Sequence, residues 1–162
     1  MTHLSVGERA PDFSLLLDDG SSFGAKDVAG HPAVLFFYPE DDSGGCVDEN
    51  QEFSALSEEF AARGARLIGV SPDSVESHRK FRTKYGLAVP LAADPERATI
   101  EAFGLWHMKK LYGREFMGLI RTTFIIGGDG RLARILRATR IKGHAAKVLD
   151  ALDEVLAAQA SE

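Results

Sequence analysis

The sequence contains one cysteine, Cys46, and the residues just before it suit thiol chemistry. Ser43 stands three positions earlier, with Gly44 and Gly45 between the two side chains. A cysteine attacks electrophiles as its thiolate, so its surroundings must favour the anion over the neutral thiol. The hydroxyl of Ser43 can turn toward that sulfur. Cys46 is therefore the candidate nucleophile of this chain.

The elements on either side of Cys46 predict where its sulfur lies. Residues 33–38 form a continuous apolar run, typical of a strand buried on both faces, and the run ends at Pro39. A helix is predicted from about Cys46 to Ala62, because apolar residues recur there at three- and four-residue spacing. Free N–H groups and the helix dipole in the first turn of a helix favour a thiolate.

Two observations act against a reactive thiolate. Asp48 and Glu49 follow closely, and nearby carboxylates disfavour a second negative charge. We therefore expect a cation to come from elsewhere in the fold. A lone cysteine is also commonly a small buried hydrophobe without reactivity. The polar, Gly-rich loop before Cys46 favours the reactive alternative, because such a position is poorly suited to core filling.

The rest of the chain predicts an α/β fold with a central mixed β-sheet flanked by helices, in a single domain over residues 1–162. Strand patterns alternate with helical ones, and residues 127–130, Gly-Gly-Asp-Gly, predict a late hairpin. A thioredoxin-like layout is the simplest match. The predicted strands cover about 10–15, 65–71, 90–92, 122–126 and 132–136, and the predicted helices about 25–29, 74–85, 96–103 and 144–159.

The chain resembles the peroxiredoxins along nearly its whole length. Pro39-x-x-x-Ser43-x-x-Cys46 matches their active-site pattern Pro-x-x-x-(Thr/Ser)-x-x-Cys, and the likeness is to the bacterioferritin comigratory protein, or PrxQ, branch. The motif alone is moderately specific, and agreement over the whole length adds to it. The supporting stretches are residues 7–13, 37–39, 103–106, 112–118, 120–124 and 141–145.

The resemblance implies roles for particular residues. It places Cys46 as the peroxidatic nucleophile and Arg121 as the active-site arginine that stabilises the thiolate and the peroxide. It likewise places Ser43 as the hydroxyl at the thiolate and peroxide, and Pro39 as a shield of the site. The backbone N–H groups of Gly45 and Cys46 would contact the substrate, and Trp106, a recurrent aromatic of the family, is assigned to substrate binding at the rim of the site. The implied reaction reduces hydrogen peroxide and small organic hydroperoxides through a sulfenic acid on Cys46.

The chain departs from the family where a second cysteine is common. Gln51 occupies one such position, and residues 74–84 contain none. An internal disulfide is therefore excluded, and the sulfenic acid must be reduced by an external thiol: thioredoxin, glutaredoxin or glutathione, or another low-molecular-weight thiol. Gly44 stands where many relatives have proline, so the loop loses more entropy when it adopts its catalytic shape.

The composition of the chain limits its expected partners, location and cofactors. Nineteen basic and 24 acidic side chains give a net charge of −5, which provides no general attraction to nucleic acid or to anionic membranes. No basic and apolar leader is visible, and one cysteine cannot form a disulfide framework, so we expect a cytoplasmic protein. The five histidines show no metal-ligand spacing, and the reaction implied by the resemblance needs no metal or organic cofactor. We interpret the histidines as surface residues or as residues that support a site without acting in it, and we expect His144 near the start of the last helix. We expect a monomer or a weak homodimer.

Two other functions remain open at this stage. A thiol–disulfide oxidoreductase could use the same fold, but the sequence has no Cys-x-x-Cys. A non-catalytic thioredoxin-like binding or chaperone module would leave Cys46 without a role. The presence of both Ser43 and Arg121 beside it in the family pattern disfavours that module.

Overall fold

A seven-stranded mixed sheet forms the centre of the computed structural model, which describes residues 2–160. Its strands are ordered β2-β1-β5-β4-β3-β8-β9, and a separate two-stranded hairpin is formed by β6 and β7. Their bounds are β1 Ser14–Leu17, β2 Ser22–Gly24, β3 Ala33–Phe37, β4 Arg66–Ser71, β5 Leu91–Ala93, β6 Trp106–Leu111, β7 Arg114–Leu119, β8 Thr122–Ile126 and β9 Leu132–Arg137.

Strand β3 lies in the interior of the sheet and leads to the site. It pairs in parallel with β4 and antiparallel with β8, and all of its residues are buried. Val34 and Phe36 pack into one apolar cluster, and Leu35 and Phe37 pack into the cluster on the other face of the sheet. Both faces are therefore covered, as the unbroken apolar run predicted.

Five helices accompany the sheet, and four of them contribute to one apolar cluster. Residues of α1, α2, α3 and α5 pack with Val34 and Phe36, whereas α4 packs on the opposite face. The helices are α1 Gly44–Ala55, α2 Ser57–Ala62, α3 Val75–Tyr85, α4 Ala98–Ala102 and α5 His144–Ala160. This arrangement confirms the predicted fold class. Within residues 2–160, none of the helices has the length and apolarity needed to cross a membrane.

The prediction of one continuous helix from Cys46 to Ala62 is wrong. The helix is interrupted at Leu56, whose N–H bonds to the carbonyl of Phe53, three residues back, at 3.1 Å. Phe53 and Phe60, on either side of this tight turn, are both fully buried. The apolar spacing alone cannot distinguish such an interruption from an unbroken helix.

The β6–β7 hairpin is absent from the sequence-based prediction. Its two-residue turn, Tyr112-Gly113, has positive φ at both positions (51° and 76°), as a type I′ turn requires. The signal was weak because tyrosine is an uncommon first residue of such a turn. The first strand is also displaced, since it begins at Ser14 and not at Ala10.

Candidate active site

Cys46 is the third residue of α1, directly after the loop that leaves β3. Ser43 is the N-cap residue of this helix and has extended backbone angles, so Cys46 lies in the first turn as predicted. Its side chain is 0% exposed and packs in the same cluster as Tyr38 and Phe53. The polar loop led us to expect a less buried sulfur. The burial follows from the inward direction of Cys46 on α1, which packs against the sheet.

Arg121 supplies the cation that the sequence analysis required. Its Nη2 donates to Cys46 Sγ at 3.3 Å, although the two residues are 75 positions apart. Arg121 immediately precedes β8, and its carbonyl accepts a bond from Ala138 N at 3.0 Å. Burial acts to lower the pKa of this guanidinium, but the charges of Glu49 and Cys46 outweigh it and raise the pKa. The side chain of Arg121 is 17% exposed, so the guanidinium that contacts the buried sulfur is itself in contact with solvent.

The sequence analysis considered Glu49 only as a nearby negative charge, and the structure adds that it pairs with Arg121 in the same cluster. It accepts a bond from Arg121 Nη1 at 2.6 Å and is 1% exposed, and its second oxygen, Oε2, has no hydrogen-bond partner. Burial raises its pKa to about 7 against the attraction of Arg121. Glu49 lies three residues after Cys46, a spacing that places both side chains on one face of the helix. This spacing is the feature of the sequence that could have identified Glu49 as a site residue.

Ser43 and Pro39 belong to the loop between β3 and α1 that precedes Cys46. Ser43 Oγ donates to the Glu40 carbonyl at 3.1 Å, so in this conformation its hydroxyl bonds to the loop and not to Cys46. The expected contact with the sulfur is thus not formed. Pro39 follows β3 directly and is half-buried at the start of the loop. Its role as a shield stays a prediction.

The structure places Gly45 beside Arg121 and Trp106 beside Arg97. A Cβ placed on Gly45 would be 3.6 Å from Arg121 Nη2 and 2.7 Å from Ile141 Cδ1, so the backbone before Cys46 runs beside the guanidinium. Trp106 begins β6, and its ring faces the guanidinium carbon of Arg97 at 4.5 Å. Its assignment to substrate binding stays a prediction.

A buried network fixes the loop between Pro39 and Ser43. Asp41 accepts bonds from the Tyr38 hydroxyl at 2.7 Å and from Ser77 Oγ at 2.7 Å, and His78 Nδ1 lies 2.8 Å from its Oδ2. Burial, followed by the charge of Asp41, raises the pKa of Tyr38 well above its ordinary value. Ser77 and His78 belong to α3, so this helix anchors the loop that precedes Cys46.

Two of the five histidines are buried and not at the surface, and His144 lies at the start of the last helix as predicted. His78 is fully buried beside Asp41, and His144 is buried at the first position of α5, where its Nε2 lies 2.8 Å from Thr123 Oγ1. Burial lowers the pKa of His144 to about 4, and the charges of Arg121 and Lys147 act in the same direction. His144 is therefore neutral at pH 7. Within residues 2–160, no three His, Cys, Asp or Glu side chains converge as a metal site would require.

A thiol at a helix start, contacted by a guanidinium and set on this sheet topology, is the arrangement expected of a thiol peroxidase. The comparisons with known proteins agree. Residues 6–135 match the family model described as AhpC/TSA. Peroxiredoxin Bcp of Bacillus subtilis strain 168 is 41% identical over 152 residues, which cover 94% of this chain and 97% of that protein.

Solved structures give the same assignment. The bacterioferritin comigratory protein of Xanthomonas campestris, described for its alkyl peroxide reduction activity, superposes with a TM-score of 0.84 at 36% identity, over 95% of this chain and 98% of that one. A cysteine-to-serine mutant of Xylella fastidiosa PrxQ superposes with a TM-score of 0.88 at 32% identity, with the same coverage. The chain belongs to the AhpC/TSA family, in its Bcp/PrxQ branch, and is a thiol-dependent peroxidase. This assignment leaves the non-catalytic binding module without support.

Proposed function

We propose that Cys46 reduces hydrogen peroxide and small organic hydroperoxides by direct attack on the O–O bond. The thiolate forms a bond to the terminal oxygen of R–O–O–H, the O–O bond breaks, and RO⁻ leaves and takes up a proton as water or an alcohol. Cys46 becomes a sulfenic acid. The observation that carries this proposal is the 3.3 Å contact between Arg121 Nη2 and Cys46 Sγ in the first turn of α1.

In this reaction Arg121 stabilises the thiolate first and the departing oxygen afterwards. A guanidinium presents several donors in one plane, so it can contact both the sulfur and a peroxide oxygen. The backbone of Gly45, which runs beside Arg121, adds N–H donors at the same place. Rotation of Ser43 away from the Glu40 carbonyl would bring a hydroxyl to the substrate. Because the sulfur is fully buried, a peroxide enters only when neighbouring side chains move.

We further propose that an external thiol completes the cycle, in two steps. One thiol, R′SH, attacks the sulfenic sulfur, which gives a mixed disulfide with Cys46 and releases water. A second thiol then attacks the mixed disulfide, which releases R′–S–S–R′ and restores Cys46. The single cysteine of the sequence supports this scheme. Candidate reductants are thioredoxin, glutaredoxin with glutathione, and other low-molecular-weight thiols. The proposed setting is the cytoplasm, with the chain as a monomer or a weak homodimer.

The test is stopped-flow reduction of hydrogen peroxide without added reductant. The wild type should consume one peroxide per chain in a fast phase, and Cys46→Ser should consume none. Arg121→Ala should slow the fast phase by about 10²- to 10³-fold, the usual effect of removing a donor that stabilises developing charge. Arg114→Ala, which changes an exposed arginine of the β6–β7 hairpin, is the matched control and should react as the wild type does. Equal rates for wild type and Arg121→Ala, both typical of a free thiol, would overturn the proposal.

A further inference from the structure

Ile141 lies over the backbone that leads into Cys46. A Cβ placed on Gly45 would be 2.7 Å from Ile141 Cδ1 and 3.6 Å from Arg121 Nη2, so the end of the isoleucine and the guanidinium surround the same point. The same nitrogen of Arg121 contacts Cys46 Sγ at 3.3 Å. A larger residue at position 45 would displace the isoleucine, and glycine there provides the space for it. An apolar group is therefore placed beside the donor that stabilises the thiolate.

The backbone on both sides of Ile141 is fixed to the two segments that form the site. Ile141 belongs to the connection between β9 and α5. At one end of this connection Ala138 donates its N–H to the carbonyl of Arg121 at 3.0 Å. At the other end Gly143 donates its N–H to Glu52 Oε1, on α1, at 3.0 Å. The isoleucine is thus held between the segment that carries the guanidinium and the helix that carries the sulfur.

Ile141 also faces solvent, on the side of the site that a substrate can reach. The inner side of the sulfur is filled, because Cys46 packs with Tyr38 and Phe53 in one apolar cluster. Ile141 is half-buried, and it contributes to the wall of an open groove of about 480 Å³. The other residues that line this groove are Asp48, Gln51, Glu52, Ala55 and Lys142. One side of Ile141 therefore faces the site, and another faces the groove.

We propose that Ile141 is a specificity-determining residue, whose side chain contacts the organic substituent of a hydroperoxide while Cys46 attacks it. The inference rests on the proposed function and assigns the part of the substrate that lies beyond the two oxygens. In the displacement the sulfur and both peroxide oxygens lie in line, so the substituent R extends away from the sulfur. With the oxygens held by Arg121 and the backbone of Gly45, R meets Ile141 Cδ1. Hydrogen peroxide has no substituent and gains nothing from this contact, whereas a compact apolar R gains from it.

The experiment compares the second-order rate constants of Cys46 oxidation by hydrogen peroxide and by tert-butyl hydroperoxide, in stopped flow without added reductant. Ile141→Ala should lower the rate with tert-butyl hydroperoxide by about tenfold and change the rate with hydrogen peroxide by less than about twofold, as expected for the loss of a small apolar contact to the substituent alone. Ile141→Val, which removes only Cδ1, should give an intermediate ratio of the two rates. It also serves if Ile141→Ala fails to fold.

A matched control separates this contact from a general loss of packing. Ile135→Ala changes another half-buried isoleucine, on β9, which packs on the opposite face of the sheet from Cys46, and its ratio of rates should equal that of the wild type. An unchanged ratio in both Ile141 variants would overturn the inference. An equal rise with both peroxides would also overturn it, since Ile141 would then be only a steric barrier, as would an equal fall. A wild type that reacts with neither peroxide would refute the proposed function instead.

Discussion

The buried carboxyl of Glu49 makes the folding stability of this protein depend on pH, and replacing it with glutamine tests this. In the folded chain one carboxylate oxygen accepts a bond from Arg121 and the other has no partner. Burial therefore raises the pKa of Glu49 from its ordinary 4.5 to about 7. Glu49→Gln keeps the shape and one acceptor but removes the titration.

The sign and size of the effect follow from the two pKa values. Between pH 4.5 and 7 the folded protein holds the Glu49 proton more tightly than the unfolded chain does, so the free energy of unfolding falls as pH rises. At about 1.4 kcal/mol per pKa unit, the contribution is about 3 kcal/mol. Glu49→Gln has no titrating group at this position, so its free energy of unfolding does not fall in this way. The free energy of unfolding of Glu49→Gln minus that of the wild type should therefore increase by about 3 kcal/mol from pH 4 to pH 7.5.

Urea unfolding at a series of pH values provides the measurement, with the fluorescence of Trp106, the single tryptophan, as the signal. Both proteins should carry Cys46→Ser, so that the thiol does not titrate. A weaker bond from Arg121 to the amide oxygen of glutamine adds a constant offset, because the guanidinium stays charged throughout and the amide does not titrate. Gln51→Ala, at an exposed neighbouring side chain that does not titrate, is the control and should give a pH-independent difference. A flat or falling difference for Glu49→Gln would refute the argument.

Three further predictions concern residues around the site and the core. The pKa of His144 is lowered to about 4, so its contribution to the free energy of unfolding is complete above pH 6.5 and is lost as pH falls toward 4. In urea titrations, His144→Gln should therefore lose less stability than the wild type over that range. Asp41→Asn removes the buried charge beside His78 and should lower the free energy of unfolding by about 3 kcal/mol in chemical denaturation. Gly69→Ala would place a Cβ 2.7 Å from the ring of Phe36 and should cost about 2 kcal/mol by the same assay.

Each of these has an outcome that contradicts it. A His144→Gln profile parallel to that of the wild type would mean that His144 is not the group that titrates. An Asp41→Asn variant of unchanged stability would show that the buried network contributes nothing to the fold. For Gly69→Ala the control is Gly44→Ala, where a Cβ meets open space. Equal stability of the two glycine variants would exclude overpacking as the cause.

The local chemistry of the site was accessible from sequence, because it depends on short-range features. The strand that ends at Pro39, the loop, and the helix start at Cys46 are contiguous, and periodicity and capping rules apply to them directly. The contact of Arg121 with Cys46 was expected only through the resemblance to peroxiredoxins. No rule of spacing connects residues that are 75 positions apart.

The parts that escaped prediction depend on packing between distant segments. Glu49 is paired with Arg121, which lies 72 positions away along the chain. The attachment of Asp41 to α3 is likewise set by which elements meet. The break at Leu56 leaves Phe53 and Phe60 both buried, and the apolar spacing of the sequence is compatible with one helix or with two.

The charge of Arg121 acts on two buried groups that exchange protons on unfolding in opposite senses. Glu49 releases a proton when the chain unfolds near pH 6, and His144 takes one up there. The net proton exchange from this pair is consequently small between about pH 4.5 and 6.5. The contributions of the two groups to the pH dependence of folding stability therefore nearly cancel over that range, although each pKa is strongly perturbed.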